Sequence, residues 1–444
     1  MDDFLNEMKK LLGDEYEDYL KFYNDDKSYR GLRVNKLKCT TQKLSELLPF
    51  ELKPTPFCKE GFYIPQDVQS LGNNPLHHCG AFYIQEPSAT SAVTMLNVEP
   101  DDYVLDLCAS PGGKSTQIAS DLLGTGLLFS NEIVKNRASV LLSNIERCGI
   151  RNAVVTSCHP DTLCNRLTGF FDKILVDAPC SGEGMFRKNS SARDCWSKEH
   201  VISCAQRQLQ ILNSAKNALK SGGVMVYSTC TFSKEENEGV IEAFLKENSD
   251  FELEDSGVSF GRKTMGGAVR IFPMDGGEGH FAARLRKKGK SIKYNLTFSN
   301  KNTPTRKIPK EVIDFYKSTF VNSPFGDNIK MIENKAICMP DNLPDLSGLS
   351  VFRAGVLLGE VKKNRFEPAH CAFIAAKKSE FKSYVDFDFT DDRILKFLHG
   401  EEIPVDENLS GYIAVCVNGI TVGFGKAVSG TLKNKYPKGL RTLK

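Results

Sequence analysis

The chain has 444 residues, of which 41% are hydrophobic and 25% are charged, and its formal net charge is +3. This length predicts two to four domains, and the composition is typical of a soluble, globular protein. The sequence has no run of about 18 apolar residues that could cross a membrane, and its acidic, amphipathic N-terminus differs from a signal peptide. We therefore expect a cytoplasmic protein without membrane contact.

The cysteine and histidine content argues against disulfides and against a metal site. Fourteen cysteines are spread from Cys39 to Cys416, without the dense spacing of a small secreted scaffold, so we expect free thiols. The seven histidines are not grouped with cysteines at the spacing of zinc ligands, so we expect no metal. No feature of the sequence requires more than a monomer.

The first 84 residues are predicted to form a separate, mainly helical region. The segments FLNEMKKLL and EDYLKFY have helical patterns, whereas RGLRVNKLK alternates basic and apolar residues. That alternation predicts a strand that presents Arg30, Arg33, Lys36 and Lys38.

Residues 85–288 follow a rhythm of strand, turn and helix. The predicted strands are DYVLDLCAS, GLLFSNE, NAVVTS, FDKILVDAP and GGVMVYSTC, and the helices include KNRASVLLSNIERCG and a segment from about Glu199 to Lys220. Such alternation predicts an α/β domain with a mostly parallel sheet, to which HFAARLRK (280–287) adds a last strand. Glycine pairs at 112–113 and 222–223 are predicted to mark turns.

The remainder of the chain is predicted to contain a basic linker at 289–310, an intermediate α/β region at 311–386 and a small β-rich module at 387–444. Residues 281–310 hold ten Lys or Arg and no acid, and the tail 431–444 holds five and no acid. Two basic stretches that flank one domain favour RNA or another polyanion as partner. The alternative is a solvated linker and a frayed tail.

The segment VLDLCASPGGKST (104–116) predicts a cofactor loop between a strand and a helix, where backbone N–H groups hold an anion. A Walker loop is disfavoured because Cys108 occupies the place of its first glycine, and the dinucleotide pattern G-x-G-x-x-G is absent. The remaining interpretation is a loop that binds the carboxylate of S-adenosylmethionine. About 20 residues later, Glu132 ends the next strand, where an acid can accept both ribose hydroxyls.

Two cysteines follow the ends of two later strands, in VDAPCSGEG (176–184) and YSTC (227–230). A buried structural thiol is the ordinary interpretation of either one, but both are expected beside Asp177 and the cofactor loop. Methylation of a pyrimidine at C5 needs a thiolate that adds to C6, because C5 alone is a poor nucleophile. The residues alone permit either Cys180 or Cys230 to be that nucleophile.

The motifs DLCASPGGKST, NEIVKNR, VDAPCSGEGMFRK and YSTCTFSKEENE, in this order, resemble the Nol/Nop/Sun family of RNA (cytosine-5) methyltransferases. The resemblance covers about residues 85–288, and GLRVNKLK, FYIQEPSA, GEGHFAARLRK and GTLKNKYPKGLR extend it over nearly the whole chain, toward the bacterial RsmF-like branch. It implies a helical N-terminal RNA-binding region, a Rossmann-like class I methyltransferase domain and a C-terminal PUA-like module.

The resemblance also implies a role for individual residues. Cys230 would be the nucleophile, Cys180 would assist product release, Asp177 would lie between cofactor and base, and Glu132 would bind the ribose. The methionine-binding loop would consist of Cys108, Ala109, Ser110, Pro111, Gly112, Gly113 and Lys114. Many relatives carry an acid near the adenine where this chain has His159, with Asp161 close by, so that contact is open.

The expected reaction is transfer of a methyl group from S-adenosylmethionine to C5 of cytosine in ribosomal RNA, which the RsmF-like branch specifies as small-subunit 16S rRNA. The alternatives are the same chemistry on transfer RNA, and a non-catalytic RNA-binding or ribosome-assembly factor. The sequence does not identify the modified nucleotide.

Overall fold

The computed structural model describes residues 2–25, 27–188, 190–290, 307–363 and 365–442. Most of the predicted basic linker, residues 291–306, lies outside this range. The N-terminal region begins with two helices, as predicted, and then forms a small antiparallel sheet in the order β2-β3-β1-β4. Its elements are α1 (Asp2–Leu12), α2 (Tyr16–Tyr23), β1 (Gly31–Val34), α3 (Thr41–Leu47), β2 (Lys53–Pro54), β3 (Gly61–Tyr63), α4 (Pro75–His78), β4 (Phe82–Gln85) and α5 (Ser91–Leu96).

The central region alternates strands and helices as the sequence predicts. Its elements are β5 (Tyr103–Asp106), α6 (Gly113–Asp121), β6 (Leu127–Asn131), α7 (Lys135–Arg147), β7 (Ala153–Thr156), α8 (Pro160–Arg166), β8 (Phe171–Asp177), α9 (Ser190–Asp194), α10 (Lys198–Ala218), β9 (Leu219–Thr229), α11 (Glu238–Glu247), β10 (Phe251–Glu254), β11 (Arg262–Lys263), β12 (Val269–Ile271) and β13 (His280–Lys287).

The C-terminal part forms two further small sheets, in the orders β14-β15-β17-β18 and β19-β21-β22-β23-β20. Its elements are α12 (Lys310–Thr319), β14 (Ile329–Ile332), β15 (Lys335–Cys338), β16 (Val351–Ala354), β17 (Val356–Lys362), β18 (Arg365–Pro368), α13 (His370–Ile374), β19 (Tyr384–Phe387), α14 (Asp392–His399), β20 (Ile403–Pro404), β21 (Gly411–Val417), β22 (Ile420–Val428) and β23 (Thr431–Asn434). Among all helices that the structure describes, none has the length and apolar character needed to cross a membrane.

The main sheet has ten strands, and its path is β11-β12-β13-β9-β8-β5-β6-β7-β16, with β10 also paired to β13. The five central strands, from β9 to β7, are parallel, whereas β13 runs antiparallel to β9. Strand β16 comes from the predicted intermediate region and pairs with β7. The sequence did not indicate that this region extends the central sheet.

Helices cover both faces of the parallel strands and bury alternate residues of each strand. On one face, Leu175 and Val226 pack with residues of α5, α6 and α7, such as Ile118. On the other face, Val176 and Tyr227 pack with residues of α8, α10 and α11. Burial on both faces explains why these strands read as continuous apolar runs, and it confirms the predicted α/β class.

Two local predictions were wrong. The glycine pair 222–223 does not separate α10 from its strand, because β9 already begins at Leu219 and the pair lies inside it. Of the basic residues that we expected the strand to present, Lys36 is exposed, but Arg33 and Lys38 bond to atoms inside the protein. The guanidinium of Arg33 is buried and donates to the oxygen atoms of Gly113 and Thr116 at 3.2 and 2.7 Å, and Lys38 donates to the backbone oxygen of Ile374.

The basic residues at the start of the 281–310 stretch also have partners inside the protein. Arg284 and Arg286 both pair with Glu254 on the neighbouring strand β10. The Nζ of Lys287 donates to two backbone carbonyls at the junction of α10 and β9. These side chains therefore hold the edge of the sheet together.

The two ends of the chain share one hydrophobic core. Leu32 and Phe82 of the N-terminal sheet are buried in the same cluster as Phe397 and Val415 of the C-terminal module. A hydrogen bond of 2.7 Å joins His78 to the hydroxyl of Tyr436 within this contact. The contact brings the C-terminal module beside the N-terminal sheet, which packs on α6 through Arg33.

Candidate active site at the carboxyl edge of the sheet

The predicted site residues follow the carboxyl ends of β5, β6, β8 and β9, which lie side by side in the sheet. Parallel strands place these ends at one edge, where open α/β sheets bind their ligands. The register sets Asp177, the last residue of β8, beside Ser228 in β9. The structure thus brings the two cysteine motifs and the cofactor loop to one place.

The cofactor loop turns sharply between β5 and α6. Gly112 has a φ of +116°, in the region that favours glycine, and a Cβ at this position would lie 3.2 Å from a methyl group of Leu141. Asn144 of α7 donates to the carbonyl of Pro111 at 3.0 Å, and Ala109 donates to that of Asn131 at 2.8 Å. Neighbouring elements therefore hold the loop from both sides.

Arg33 is hydrogen-bonded to the first turn of α6. Its contacts with Gly113 and Thr116 join the N-terminal sheet to the helix that begins the cofactor loop. We had predicted an exposed side chain, because a basic residue in an alternating strand usually faces solvent. Only the packing of β1 against α6 assigns Arg33 this supporting role.

Lys114 and Asp177 form an ion pair in the centre of the site. The Nζ of Lys114 lies 2.8 Å from one carboxylate oxygen of Asp177, and Ser228 donates to the other at 2.8 Å. Burial acts to raise the pKa of Asp177, but the charge and the hydrogen bond of Lys114 outweigh it and hold this pKa below its usual value. Asp177 is therefore ionised at neutral pH.

Cys180 and Cys230 lie next to each other, with their Sγ atoms 3.3 Å apart. This separation is longer than a disulfide bond of about 2.05 Å, so both are free thiols. The hydrogen bond to Cys230 and burial raise the pKa of Cys180 well above its usual value. Cys180 therefore favours its protonated form, and either sulfur atom can donate the hydrogen bond that joins the two.

Two buried acids hold the loops that carry the thiols. Glu236 accepts hydrogen bonds from the backbone of Ser181, at 3.0 Å, and from Gln208, at 2.8 Å. Glu183 accepts from the backbone N–H groups of Phe232 and Ser233, both at 2.9 Å. Burial raises the pKa of Glu236 to about 7. Each acid thus ties one cysteine motif to the other.

Our interpretation of the sequence missed these two acids. They stand inside the quoted motifs SGEG and KEENE, but a local motif does not show whether a carboxyl group is buried. Both carboxyl groups are hydrogen-bonded in the structure, as buried polar groups normally are.

The predicted ribose and adenine residues lie farther along the same edge. Glu132 is buried, accepts from the N–H of Val134 at 2.9 Å and lies 3.5 Å from Arg137. His159 caps the start of α8, and Asp161 accepts from Ser214. The side chains of His159 and Asp161 are both exposed, and neither contact with adenine is tested by this arrangement.

His280 is a further residue that the sequence did not single out. It begins β13, is 1% exposed, and its Nε2 lies 3.9 Å from the carboxylate of Asp177. Burial and the charge of Lys114 lower the pKa of His280 to about 3. A neutral imidazole therefore faces the same carboxylate that Lys114 pairs with.

The N-terminal helices pack against the loops that follow both cysteines. Phe4 contacts Phe186 with ring centroids 5.0 Å apart, and Tyr19 contacts Phe232 at 6.1 Å. A pocket of about 410 Å³ lies between α1, the start of α10 and residues 232–235. The position of the Cys230 loop therefore depends on the first two helices of the chain.

Four family models match successive parts of the chain. They are described as the N-terminal domain of 16S rRNA methyltransferase RsmF (residues 1–87), 16S rRNA methyltransferase RsmB/F (93–286), RsmF rRNA methyltransferase first C-terminal domain (314–376) and methyltransferase RsmF PUA domain (384–442). These matches support the predicted presence of an N-terminal region, a methyltransferase domain and a PUA-like module. The limits that we assigned from the sequence stay predictions.

Individual relatives agree with the family models. Ribosomal RNA small subunit methyltransferase F of Vibrio vulnificus is 34% identical over 98% of this chain and 96% of its own length. The protein of the same name from Aliivibrio salmonicida is 33% identical over 93% and 91%. The crystal structure of a methyltransferase homologue from Pyrococcus horikoshii has 29% identity and a TM-score of 0.58, over 64% of this chain and 94% of that one. The resemblance and the fold class are thereby confirmed, and the chain belongs to the 16S rRNA methyltransferase RsmB/F family.

Proposed function

We propose that this protein transfers a methyl group from S-adenosylmethionine to C5 of a cytosine in 16S rRNA, through a covalent bond between Cys230 and C6. The observation that carries the proposal is the pair of thiols, 3.3 Å apart and beside Asp177. Methylation of a nitrogen or oxygen atom needs no protein nucleophile, whereas C5 becomes nucleophilic only after a thiolate has added to C6.

The residues at the cofactor loop fit S-adenosylmethionine. The first-turn N–H groups of α6 have no side-chain cap, so they can bind the carboxylate of the methionine part. The loop would comprise residues 108–114, and the buried carboxylate of Glu132 can accept the ribose hydroxyls. When bound, the cofactor supplies an electrophilic methyl group.

Cys230 is the nucleophile in this proposal. Its thiolate forms a bond from Sγ to C6, and the electron pair of the C5–C6 double bond moves onto C5 and the ring. The ammonium group of Lys114 interacts favourably with this thiolate. After C5 has been methylated, a water molecule takes the C5 proton, the electron pair of that C–H bond restores the double bond, and the bond between Sγ and C6 breaks with its electrons returning to sulfur.

Cys180 assists the last step. Its thiol favours the protonated form because the contact with Cys230 and burial raise its pKa. The same S–H group can donate to the Cys230 sulfur as that sulfur leaves C6. The two cysteines therefore have different roles, although both follow the end of a strand.

Asp177 holds the base. Because it is ionised, its carboxylate can accept hydrogen bonds from the amino group of cytosine and from N3 when that atom carries a proton. Uracil presents a carbonyl oxygen in place of the amino group, so this contact favours cytosine. The base must leave its stack to reach the thiols, as in other enzymes that modify bases.

The test is transfer of labelled methyl from S-adenosylmethionine to small ribosomal subunits and to 16S rRNA that lack 5-methylcytosine. We expect labelled 5-methylcytosine with the wild-type protein and none with Cys230→Ala. Label on transfer RNA alone would keep the chemistry and change the substrate. Label on no RNA would refute the proposal and favour a binding or assembly role.

A further inference from the structure

His280 is buried at the active site, and neither of its ring nitrogens has a hydrogen-bond partner among the residues that the structure describes. A neutral imidazole carries one donor and one acceptor, and a buried polar group normally satisfies them. By contrast, both carboxylate oxygens of Asp177 have partners in Lys114 and Ser228. The unpartnered ring therefore points to a contact that forms only when substrate is bound.

The position of His280 in the sheet places it beside the nucleophile. Phe281 of β13 pairs with Thr229, the last residue of β9 and the residue before Cys230, so His280 begins its strand at the end of β9 that leads into Cys230. The backbone segments around both residues approach each other closely: Gly184 donates to the carbonyl of Cys230 at 2.9 Å, and a Cβ on Gly279 would lie 3.1 Å from the Cα of Gly184. His280 therefore starts its strand beside the turn that carries Cys230, with its Nε2 3.9 Å from Asp177.

The order of the strands decides which edge of the base faces His280. The path β13-β9-β8-β5 puts the cofactor loop, which follows β5, on one side of the thiols and His280 on the other. C5 must point to the cofactor side. Because C2 lies opposite C5 in a pyrimidine ring, its carbonyl oxygen O2 must point to the side of His280.

We propose that His280 is a further catalytic residue, which donates a ring N–H to O2 of the target cytosine and stabilises the negative charge that the ring gains when Cys230 adds to C6. That charge spreads over N3 and O2, so Asp177 and His280 serve different atoms. The role rests on the proposed cytosine chemistry. It is electrostatic and transfers no proton, because His280 is neutral over the range in which the enzyme would act.

The test compares full-length His280→Phe, which removes both ring nitrogens, with His280→Gln, which retains an N–H. Single-turnover methylation of small subunits lacking 5-methylcytosine gives the rate, and RNA containing 5-fluorocytosine traps the adduct. We expect His280→Phe to lower kcat about 10²- to 10³-fold, as for loss of an oxyanion donor, and to slow adduct formation. His280→Gln should recover part of both, and the affinities for RNA and S-adenosylmethionine should not change.

His370→Phe is the matched control. His370 is half-buried, and its buried Nδ1 has no partner among the described residues, but the ring packs on Tyr436 and lies far along the chain from the thiols. The single-turnover methylation rate of His370→Phe should equal that of the wild type. Unchanged cofactor affinity of each variant confirms that it has folded.

Three results would overturn the role of His280: a wild-type rate in His280→Phe, a loss confined to RNA affinity, or an equal loss of rate in His280→Gln. In each case the wild-type protein still forms 5-methylcytosine, so the proposed function stands. If the wild-type protein forms neither 5-methylcytosine nor adduct, the proposed function itself fails, and the role of His280 fails with it.

Discussion

At the scale of single residues, the two active-site thiols differ because their surroundings differ. Cys180 lies in a turn held by Glu236, whereas Cys230 follows the end of β9, next to Cys180 and within the electrostatic influence of Lys114. The contact with Cys230 and burial raise the pKa of Cys180, which favours its thiol form, whereas the charge of Lys114 interacts favourably with a thiolate at Cys230. The sequence alone permitted either cysteine to attack, and this asymmetry supports Cys230.

Replacing each thiol by alanine should separate the two roles. With Cys180→Ala, attack by Cys230 persists but release of the product is impaired, so a covalent protein–RNA adduct should accumulate. With Cys230→Ala, no adduct should form. Gel electrophoresis under denaturing conditions, with labelled RNA, measures both. An adduct in Cys230→Ala would reverse the roles, and a serine at each position tests whether the thiol itself is needed.

The buried Glu236 should make the stability of the protein depend on pH. Because burial raises its pKa to about 7, the folded state holds a proton that the unfolded state releases above about pH 4.5. The contribution of Glu236 to the free energy of unfolding should therefore fall as pH rises from about 4.5 to 7, by at most about 1.4 kcal/mol per pH unit, and be level above that range. Urea denaturation at several pH values measures this slope.

Two substitutions at Glu236 provide the controls. Glu236→Gln cannot ionise and retains an oxygen for Ser181 and Gln208, so its stability should vary less with pH than that of the wild type. Glu236→Ala leaves both donors without their acceptor and should cost about 2–3 kcal/mol at low pH, and its stability should also vary less with pH than that of the wild type. If the glutamine variant has the wild-type slope, Glu236 is not the group that titrates.

At the scale of elements, the start of α6 combines three constraints. The loop after β5 must turn into α6, and the first N–H groups of that helix must face the cofactor side. In addition, the side chain of Arg33 must reach the first turn of α6. The positive φ of Gly112 meets the first two constraints, since an L-residue rarely adopts that conformation.

Gly112→Ala should therefore disturb cofactor binding more than the fold as a whole. The new Cβ meets Leu141 at 3.2 Å, and the backbone conformation adds strain of about 1–3 kcal/mol. Calorimetry should show at least about a tenfold loss of S-adenosylmethionine affinity, which corresponds to 1.4 kcal/mol. Gly72→Ala is the matched control, because a Cβ there meets nothing within 4 Å. Equal affinities in the two variants would contradict the role of this turn.

At the scale of the whole molecule, the N-terminal and C-terminal parts of the chain pack against each other. Residues from the N-terminal sheet and the C-terminal module form one core, and β16 joins the central sheet from a different part of the chain. The regions that the family models match in succession are thus not independent bodies. The active site takes its support from the N-terminal helices, the N-terminal sheet and β13.

A double-mutant cycle on His78 and Tyr436 should measure the coupling energy of this contact between the N-terminal region and the C-terminal module. Their hydrogen bond of 2.7 Å joins α4 to the C-terminal module, so His78→Phe and Tyr436→Phe should be coupled by about 1 kcal/mol. Thermal or urea unfolding of both single variants and the double variant gives the coupling. Tyr412, which belongs to a different core, serves as the control partner for His78 and should show none. Additive effects for Tyr436 would mean that the contact contributes nothing.

Local sequence patterns were sufficient to predict the central fold and to name the residues of the candidate site. Alternating apolar strands and amphipathic helices specify a parallel sheet, because each pattern repeats within a few residues and can be read locally. The cofactor loop and both cysteine motifs could be assigned to strand ends for the same reason. The catalytic and binding roles of Cys180, Cys230, Asp177, Glu132 and the 108–114 loop stay predictions.

Features that depend on contacts between distant segments became visible only in the folded structure. These contacts turn Arg33 inward, place His280 beside Asp177, and make Glu183 and Glu236 the ties between the thiol loops. The folded structure also reveals the asymmetry of the two thiols. Strand order, register and burial arise from the whole chain, and the pKa and partner of a polar group follow from them, so no local pattern could have indicated these features.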